Sequence, residues 1–294
     1  MGYGDNVYTI KEIKAFVRFC EKSISYRVGR LPSQCRASIL GNGIHAFWFR
    51  REVNFGDLIT PLILNKYGYT PIYTQPNKAR LIATGSILEF LTEDYSGLIV
   101  GSGFISKGDN RQFPHAKILS VRGELTRKRL SLPADIALGD SGLIASDLMP
   151  KRQSKQYVLG IVAHYAEKND AVYLKLRANL GDAVLFIDPQ NQPLKVFDEI
   201  DRCENILSSS LHGLIAADSM GIPNRWLSST KLVGGEFKFH DYYSSIEFYD
   251  TPITLLGNES LHELIAQVKP KRYDIIQRRK DSILNIWGNI GAYI

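Results

Sequence analysis

The feature that most constrains the fold is a repeated alternation of short β-branched runs with helical patterns. This alternation is typical of parallel sheets, in which a crossover helix follows each strand. In the first half we predict strands at 80–84, 97–101, 117–121 and 135–138, and helices at 57–67, 86–91, 123–130 and 141–147. Each predicted strand ends near Gly, Ser or Asp, residues that turn the chain and cap the following helix.

The same alternation restarts after the polar stretch 150–156, which is the best candidate for a domain boundary. Here we predict strands at 157–162, 183–187, 205–208 and 224–227, and helices at 171–179, 194–203 and 211–220. The fold class is therefore α/β, with an N-terminal domain over 1–150, a second domain over 151–260 and C-terminal helices over 261–294 that pack back on the first. Two doubly wound sheets place a ligand cleft at the carboxyl ends of their strands.

Composition excludes several classes of protein. With 44% hydrophobic and 22% charged residues, the chain of 294 residues is globular and neither disordered nor fibrous. No apolar run reaches the roughly 18 to 20 residues of a membrane-spanning helix, and residues 1–5 lack the pattern of a secretory signal. Cys20, Cys35 and Cys203 make an odd count without metal-ligand spacing, which favours reduced thiols. We therefore expect a cytoplasmic protein without a bound metal.

The net charge of +6 is unevenly spread. One basic segment, His45–Arg51, also contains aromatic residues, and a second one lies near the C-terminus. Such patches attract phosphates, but a solvated helix face is an equally good interpretation. Neither segment carries a nucleic-acid-binding module, so we expect no nucleic-acid partner and treat contact with the inner face of a membrane as a separate hypothesis. The second segment, the C-terminal basic cluster, comprises Lys269, Lys271, Arg272, Arg278, Arg279 and Lys280.

Two segments of the first half carry groups suited to ligand binding. In Asn-Phe-Gly-Asp at 54–57, Asn54 or Asp57 can cap a helix, and Asp57 can also accept a proton from a hydroxyl. Gly101-Ser102-Gly103 follows a predicted strand, as a phosphate-binding turn does. The third glycine of a dinucleotide fingerprint is replaced by Ser106, so a tight turn near some anion is favoured over an NAD site.

Two further strand ends of the first half place a charged group at the predicted cleft. Arg122 directly follows a strand, and a guanidinium there faces the cleft and can hold a carboxylate or phosphate with two hydrogen bonds. Asp140, in a Gly-Asp-Ser turn, can cap the next helix or contact a sugar hydroxyl.

The most informative stretch is 205–218, in which an apolar strand runs into Ser208-Ser209-Ser210-Leu211-His212-Gly213. Serines at a helix start offer hydroxyl and N–H donors to an anion, and a histidine in the first helical turn favours a catalytic role. His164 also ends a strand, where it either bonds neighbouring backbone or serves the cleft. The segment 238–243 is predicted to be a surface loop or a lid that stacks on sugars.

These motifs together resemble the polysaccharide pyruvyl transferase family, in its exopolysaccharide and capsule branch. The resemblance rests on the Ser-Leu-His-Gly motif around His212 with Gly221-Ile222-Pro223 after it, and on four further motifs in the family's order: 54–57, 101–103, 121–123 and 139–140. It covers roughly residues 54 to 245. The family implies two Rossmann-like domains facing a cleft in a GT-B-like arrangement.

The resemblance also implies a reaction. Phosphoenolpyruvate is the donor, a sugar or a lipid-linked oligosaccharide is the acceptor, and a pyruvate ketal bridges two hydroxyls of one sugar as phosphate is released. No cofactor is needed beyond phosphoenolpyruvate as co-substrate. Two residues depart from the family pattern: Ser210 stands where many members have arginine, and Ser141 where many have proline. The cation for the donor must then come from elsewhere, with Arg122 the leading candidate and Lys238 or Arg225 as alternatives.

We assign site roles on this basis. His212 is the predicted general acid or base, with Asp57 as a second catalytic residue. The predicted donor-binding residues are Arg122, Ser209, Ser210, Leu211, Gly103 and Lys238. The predicted acceptor-binding residues are Asn54, His164, Asp140, Asp241 and Tyr242.

Two other functions fit the same motifs. One is a GT-B glycosyltransferase that uses a nucleotide sugar, although no acidic residue for the ribose is evident between Trp226 and Glu236. The other is a saccharide-binding protein that has lost catalysis, which the missing arginine at 210 favours and the retained His212, Arg122 and Asp57 disfavour.

Overall fold

The computed structural model describes residues 33–150 and 154–294. The N-terminal pentapeptide, Cys20 and part of the predicted domain boundary, 151–153, lie outside these ranges. In the described part of the chain, no helix is long and apolar enough to cross a membrane.

The first half of the chain forms a six-stranded sheet in which every neighbouring pair is parallel. Its strand order is β2-β1-β3-β4-β5-β6. All the carboxyl ends therefore lie at one edge of the sheet. The strands are β1 (Gly43–Phe47), β2 (Thr70–Tyr73), β3 (Leu81–Ile82), β4 (Leu98–Ser102), β5 (Lys117–Val121) and β6 (Ala137–Leu138).

The second half forms a four-stranded sheet, also parallel, in the order β10-β9-β7-β8. Its strands are β7 (Tyr157–Val162), β8 (Val184–Phe186), β9 (Cys203–Ser208) and β10 (Asn224–Trp226). The predicted α/β class with parallel sheets is thus confirmed, while the GT-B-like arrangement stays a prediction.

Helices connect the strands in both halves. The first half contains α1 (Ser33–Leu40), α2 (Ile59–Lys66), α3 (Glu124–Arg129) and three short 3₁₀ helices: Pro76–Lys78, Leu88–Phe90 and Ser141–Leu148. The second half contains α4 (Ala171–Leu180), α5 (Pro193–Asp201), α6 (Leu211–Ser219), α7 (Phe237–Ser245), α8 (Leu261–Ala266), α9 (Tyr273–Gly288) and the 3₁₀ helices Gly181–Ala183 and Ile290–Ala292.

Several elements differ from the sequence predictions. β1 and β2 were not predicted, the helix predicted at 86–91 is only a 3₁₀ turn, and Cys203 begins β9 instead of ending a helix. The segment 238–243 is neither a loop nor a lid but lies in α7. Its side chains Phe239, Tyr242 and Tyr243 are buried, because they fall on one face of the helix and pack with Trp226.

A single apolar cluster contains residues of both sheets. Ile44 and Val100 from the first sheet belong to it together with Val162 and Ile206 from the second. The C-terminal helix α9 adds Trp287, which stacks on Tyr67 and donates a hydrogen bond to Ser141 Oγ at 3.1 Å. The tail thus contacts the 3₁₀ helix that follows the first sheet, and this shared core holds the two sets of strand ends in place.

The C-terminal basic cluster does not present free charge. Each of its six cations has an acidic partner within 4 Å: Asp250, Asp218, Asp274, Glu247 or Asp147. Lys271 and Lys280 are buried in these pairs. In the other basic segment Trp48 is buried in the apolar core, so it is not available to insert among lipid headgroups. The structure therefore lends no support to membrane contact through these groups.

Candidate active site

A pocket of ≈ 310 Å³ lies where the carboxyl ends of both sheets meet. Loops after β1, β3 and β4 form one side, and loops after β7, β9 and β10 form the other. This is the edge of parallel sheets at which ligands generally bind. The lining residues are Phe49, Arg51, Asn54, Asp57, Ser86, Ile87, Phe90, Ile105, His164, Tyr165, Ser210, Leu211, His212, Val233 and Lys238.

His212 lies in the first turn of α6 and reaches the pocket although its side chain is buried. The backbone of Gly56 packs directly against the imidazole, since a Cβ atom there would lie 2.0 Å from His212 Nδ1. Only glycine permits this approach. Burial, assisted by the positive charges of Arg122 and Lys238, lowers the pKa of His212 to about 3. The ring is therefore neutral at pH 7, and its Nε2 has no hydrogen-bond partner among the described residues.

Asp57 lies beside this histidine, in the turn that Gly56 opens. Burial raises the pKa of its carboxyl to about 7, while the charge of Lys238 and a hydrogen bond with Asn54 act in the opposite direction. Near neutral pH the carboxyl is thus divided between its acid and carboxylate forms. A carboxyl with such a pKa can give a proton as well as take one.

Lys238 is the cation of the pocket that reaches it from the second half of the chain. It lies in the first turn of α7, and no carboxylate in residues 33–150 and 154–294 forms an ion pair with it. Burial, with a contribution from Arg122, lowers its pKa to about 8, so it is mostly charged at neutral pH. Arg51 adds an exposed cation on the opposite side.

Arg122, the leading candidate for donor binding, does not face the pocket. Its side chain is fully buried, and its Nε donates to Asp241 Oδ2 at 2.9 Å. Asp241 also accepts hydrogen bonds from the N–H and the hydroxyl of Thr126 at 2.8 and 2.7 Å. We call these three residues the clasp. The structure thus places Arg122 behind the pocket lining, where it also donates to the hydroxyl of Ser86, because a helix distant in sequence supplies a buried carboxylate that pairs with it.

Two other predicted donor contacts are occupied by the protein itself. Gly103 donates its N–H to Gly85, and a Cβ atom there would lie 2.5 Å from the guanidinium carbon of Arg122, so this glycine makes room for the clasp. Arg225, the other alternative cation, is buried in an ion pair with Asp250. Of the three cations considered for the donor, only Lys238 lines the pocket.

The start of α6 also differs in detail from the prediction. The N–H of Ser209 donates to Val162 O at 3.1 Å and that of Ser210 to Ser208 Oγ at 3.0 Å, so neither N–H is free to bind the donor substrate. The N–H groups of Leu211 and His212 have no acceptor in the described part of the chain. Such groups in the first turn of a helix bind anions. Ser210 and Leu211 line the pocket, whereas Ser209 does not.

Ser209 instead connects the turn before α6 to the loop after β7. Its hydroxyl donates to Glu167 Oε2 at 2.9 Å and accepts from the backbone N–H of His164 at 2.8 Å. Glu167 is buried, and no sequence pattern singled it out. This contact ties the loop after β7 to the loop after β9.

The predicted acceptor-binding residues divide into two groups. Asn54 and His164 line the pocket, and burial lowers the pKa of His164 to about 4. Asp140, Asp241 and Tyr242 are fully buried away from it. Asp140 caps the 3₁₀ helix after β6 through Gly142 N at 2.8 Å, and the Tyr242 hydroxyl donates to Asp218 at 2.7 Å. The prediction that these three contact a sugar is therefore wrong, because each serves the interior of the protein.

Several pocket residues were not predicted as site residues. Arg51 belonged to a segment considered only as a basic patch, and Tyr165 follows His164 directly. Phe49 and Phe90 carry no motif at all, and only their place after predicted or missed strands relates them to the site. Within residues 33–150 and 154–294, no three His, Cys, Asp or Glu side chains gather in a way that would hold a metal ion.

Comparisons with known proteins show which sequences this chain is similar to. The family model for polysaccharide pyruvyl transferase matches residues 43–230. The uncharacterized protein L143 of Acanthamoeba polyphaga mimivirus is 29% identical over 216 residues, 68% of this chain and 74% of its own. The succinoglycan biosynthesis protein ExoV of Rhizobium meliloti (strain 1021) is 26% identical over 213 residues, 68% of this chain and 64% of its own. The matched region contains Asp57 and His212, whereas Lys238 lies after it.

Proposed function

The chain belongs to the polysaccharide pyruvyl transferase family, and we propose that it moves the pyruvyl group of phosphoenolpyruvate onto two hydroxyls of one sugar, releasing phosphate. The observation that carries this proposal is the pocket itself, which Asp57, His212 and Lys238 all line. Among the described residues, His212 Nε2 has no hydrogen-bond partner and Lys238 has no ion pair. A carboxyl that is partly protonated near pH 7, a neutral base and a cation are the three groups that the reaction requires.

The donor would bind at the start of α6. Phosphoenolpyruvate is a small polyanion, and Lys238 together with the free N–H groups of Leu211 and His212 offers positive charge from two directions. In this proposal Lys238 takes the place of the arginine that many family members carry where Ser210 stands. Arg51 provides further charge at the pocket mouth.

The proton transfers follow from the two shifted pKa values. The protonated carboxyl of Asp57 gives its proton to the methylene carbon of phosphoenolpyruvate, which becomes a methyl group, and the central carbon takes on positive charge. A sugar hydroxyl attacks that carbon and loses its proton to neutral His212. The bound donor anion raises the basicity of this imidazole, because negative charge nearby stabilises the imidazolium form.

Ring closure completes the reaction. The C–O bond to phosphate breaks as the second hydroxyl attacks the same carbon, and the imidazolium formed in the first step gives its proton to the departing phosphate. The proton of the second hydroxyl returns to the carboxylate of Asp57. The two hydroxyl protons thus end on the methyl group and on phosphate, and both side chains regain their starting forms.

A direct assay tests this function. The purified protein is incubated with [3-¹³C]phosphoenolpyruvate and saccharide acceptors, first of the succinoglycan type, since the relative ExoV is a succinoglycan biosynthesis protein. We expect a ¹³C ketal methyl signal together with an equal amount of inorganic phosphate, and in D₂O one deuterium per methyl group.

The controls separate the three candidate functions. The variant His212→Ala should form no ketal, and ketal formation at the wild-type rate would exclude the proposed role of this residue. Saccharide binding without any consumption of phosphoenolpyruvate would favour a non-catalytic binding protein. Displacement of bound phosphoenolpyruvate by nucleoside diphosphates would favour a glycosyltransferase.

A further inference from the structure

The pocket lining is of two kinds. Asp57, His212 and Lys238 are polar, whereas Phe49 and Phe90 are aromatic and line the pocket from the loops after β1 and β3. The two phenylalanine rings stack with centroids 5.9 Å apart and planes inclined by 25°. The side chain of Phe90 is 41% exposed. We call this pair the aromatic wall.

The aromatic wall is held rigidly. Phe90 also packs edge-on against the buried ring of Phe47, at the end of β1, with centroids 5.7 Å apart. Its neighbour Glu89 accepts a hydrogen bond from Ile105 N at 2.8 Å and pairs with Arg129 at 2.9 Å. The exposed ring therefore cannot turn into the core to escape water. A rigid exposed aromatic side chain loses little conformational entropy when a ligand covers it.

From this arrangement we infer that the aromatic wall is the acceptor subsite, on which the apolar C–H face of a pyranose ring stacks. The inference rests on the proposed function and extends it to the acceptor. A polyanionic donor gains nothing from phenyl rings, whereas a pyranose has one face of C–H groups and an edge of hydroxyls. A sugar on the aromatic wall keeps its hydroxyl edge free for the polar groups of the pocket, Asp57 and His212 among them.

The polar groups next to the aromatic wall fit the same ligand. Arg51, Asn54 and Tyr165 line the pocket beside it and offer donors and acceptors to the remaining hydroxyls. An apolar surface with a few convergent polar groups is the usual composition of a small-molecule site. Phe90 therefore selects for a sugar with an uninterrupted C–H face, and it does so without touching phosphoenolpyruvate.

Saturation-transfer NMR tests the subsite without requiring turnover. The probes are cellobiose and lactose, and the full chain is used in the absence of phosphoenolpyruvate. We expect saturation of the ring C–H protons of one sugar in the wild type, a loss of at least fivefold in Phe90→Ala, and retention in Phe90→Trp. Phe90→Leu should lose binding as Phe90→Ala does, because it keeps apolar volume but lacks a flat ring. The matched control is Tyr249→Ala, which removes a 93% exposed aromatic side chain outside the pocket and should leave the signal unchanged.

The outcomes distinguish the subsite from the reaction. Unchanged saturation in Phe90→Ala or Phe90→Leu, or no saturation of either disaccharide in the wild type, would overturn the inference. If Phe90→Ala fails to fold, the contrast between the leucine and tryptophan variants decides. Phosphoenolpyruvate affinity, measured by calorimetry, should be the same in all folded variants. If sugar binding depends on Phe90 but no ketal forms, the proposed reaction is refuted and the proposed subsite is retained. If ketal forms and the acceptor KM is unaltered in Phe90→Leu, the subsite is refuted and the reaction is retained.

Discussion

Two polar clusters lie close together in this protein and differ in how their groups are partnered. In the clasp, the guanidinium of Arg122 and the carboxylate of Asp241 are 2.9 Å apart, and Thr126 provides two further hydrogen bonds. In the pocket, Nε2 of His212 has no partner and Lys238 has no ion pair among the residues that the structure describes. The first cluster is complete, while the second is complete only with a ligand.

The difference separates structural polar groups from functional ones. A buried polar atom without a partner costs about 1–3 kcal/mol, and one that lines a pocket can regain that free energy from a bound ligand. The clasp also serves the pocket, because Asp241 lies one helical turn after Lys238 in α7 and fixes that helix against β5 and α3. In addition, the charge of Arg122 lowers the pKa of both His212 and Lys238.

The largest predicted effect is the loss of activity when a polar group of the pocket is replaced. Asp57→Asn removes the proposed proton donor while keeping the shape of the side chain, and we expect kcat to fall by about 10²- to 10⁴-fold. The same substitution should raise the free energy of unfolding at pH 8 by about 4 kcal/mol. The sign follows from the raised pKa: ionisation of this carboxyl is disfavoured in the folded state, so stability declines as pH rises toward 7, and the amide lacks that decline.

Two measurements check this prediction. Activity is measured as ketal formation by ¹³C NMR, and stability is measured by urea unfolding at pH 5 and pH 8. Loss of activity together with loss of stability at pH 8 would place Asp57 among the structural groups, and the comparison between the two clusters would fail.

The next effect breaks the clasp. Asp241→Asn leaves the Arg122 guanidinium buried without a counter-charge, and removal of one partner of a buried ion pair costs about 3–5 kcal/mol of folding free energy. The matched control is Asp274→Asn, which removes an exposed carboxylate paired with Arg272 and Arg278 and should leave the urea midpoint close to that of the wild type. Equal urea midpoints for the two variants would show that the clasp does not stabilise the fold.

A third variant concerns the donor cation. Lys238→Ala should raise the KM for phosphoenolpyruvate by about 10- to 100-fold, because a charged hydrogen bond contributes about 1.5–3 kcal/mol. Its stability should stay close to that of the wild type, since Lys238 has no ion pair to lose in the described part of the chain. Lys128→Ala, at an exposed position of α3, is the control. An unchanged KM would mean that Lys238 is not the donor cation and would make Arg51 the next candidate.

The contrast between the clasp and the pocket also explains what the sequence could predict. Strands such as β5 and β7 were predicted residue for residue, because β-branched runs and strand-end turns are local signals. The same local signals placed His212 after a strand end and Asp57 at the start of a helix. β1 was missed because its sequence, Gly-Ile-His-Ala-Phe, is poor in β-branched residues.

Arg122 was misplaced for a different reason. Its partner Asp241 is 119 residues away in the chain, and no pattern around either residue indicates the pair. One signal was available, since Phe239, Tyr242, Tyr243 and Ile246 have the i, i+3, i+4, i+7 spacing of a helix with a buried face. Recognition of that helix would have identified α7, though not the contact that its buried aspartate makes.

The smallest predicted effect is the pH dependence of the KM for phosphoenolpyruvate. Burial lowers the pKa of Lys238 to about 8, so the charge that binds the donor is lost as pH rises through 8, and the KM for phosphoenolpyruvate should rise several-fold between pH 7 and pH 9. In Lys238→Arg the cation does not titrate in this range, so the KM should stay flat while kcat keeps its own decline near pH 7 from deprotonation of Asp57. A KM that rises equally in both proteins would mean that another group, and not Lys238, holds the donor. If the KM alone becomes independent of pH, donor charge and proton transfer belong to separate side chains of the pocket, Lys238 and Asp57, and the clasp acts on the first of these titrations only through the charge of Arg122, which lowers the pKa of Lys238.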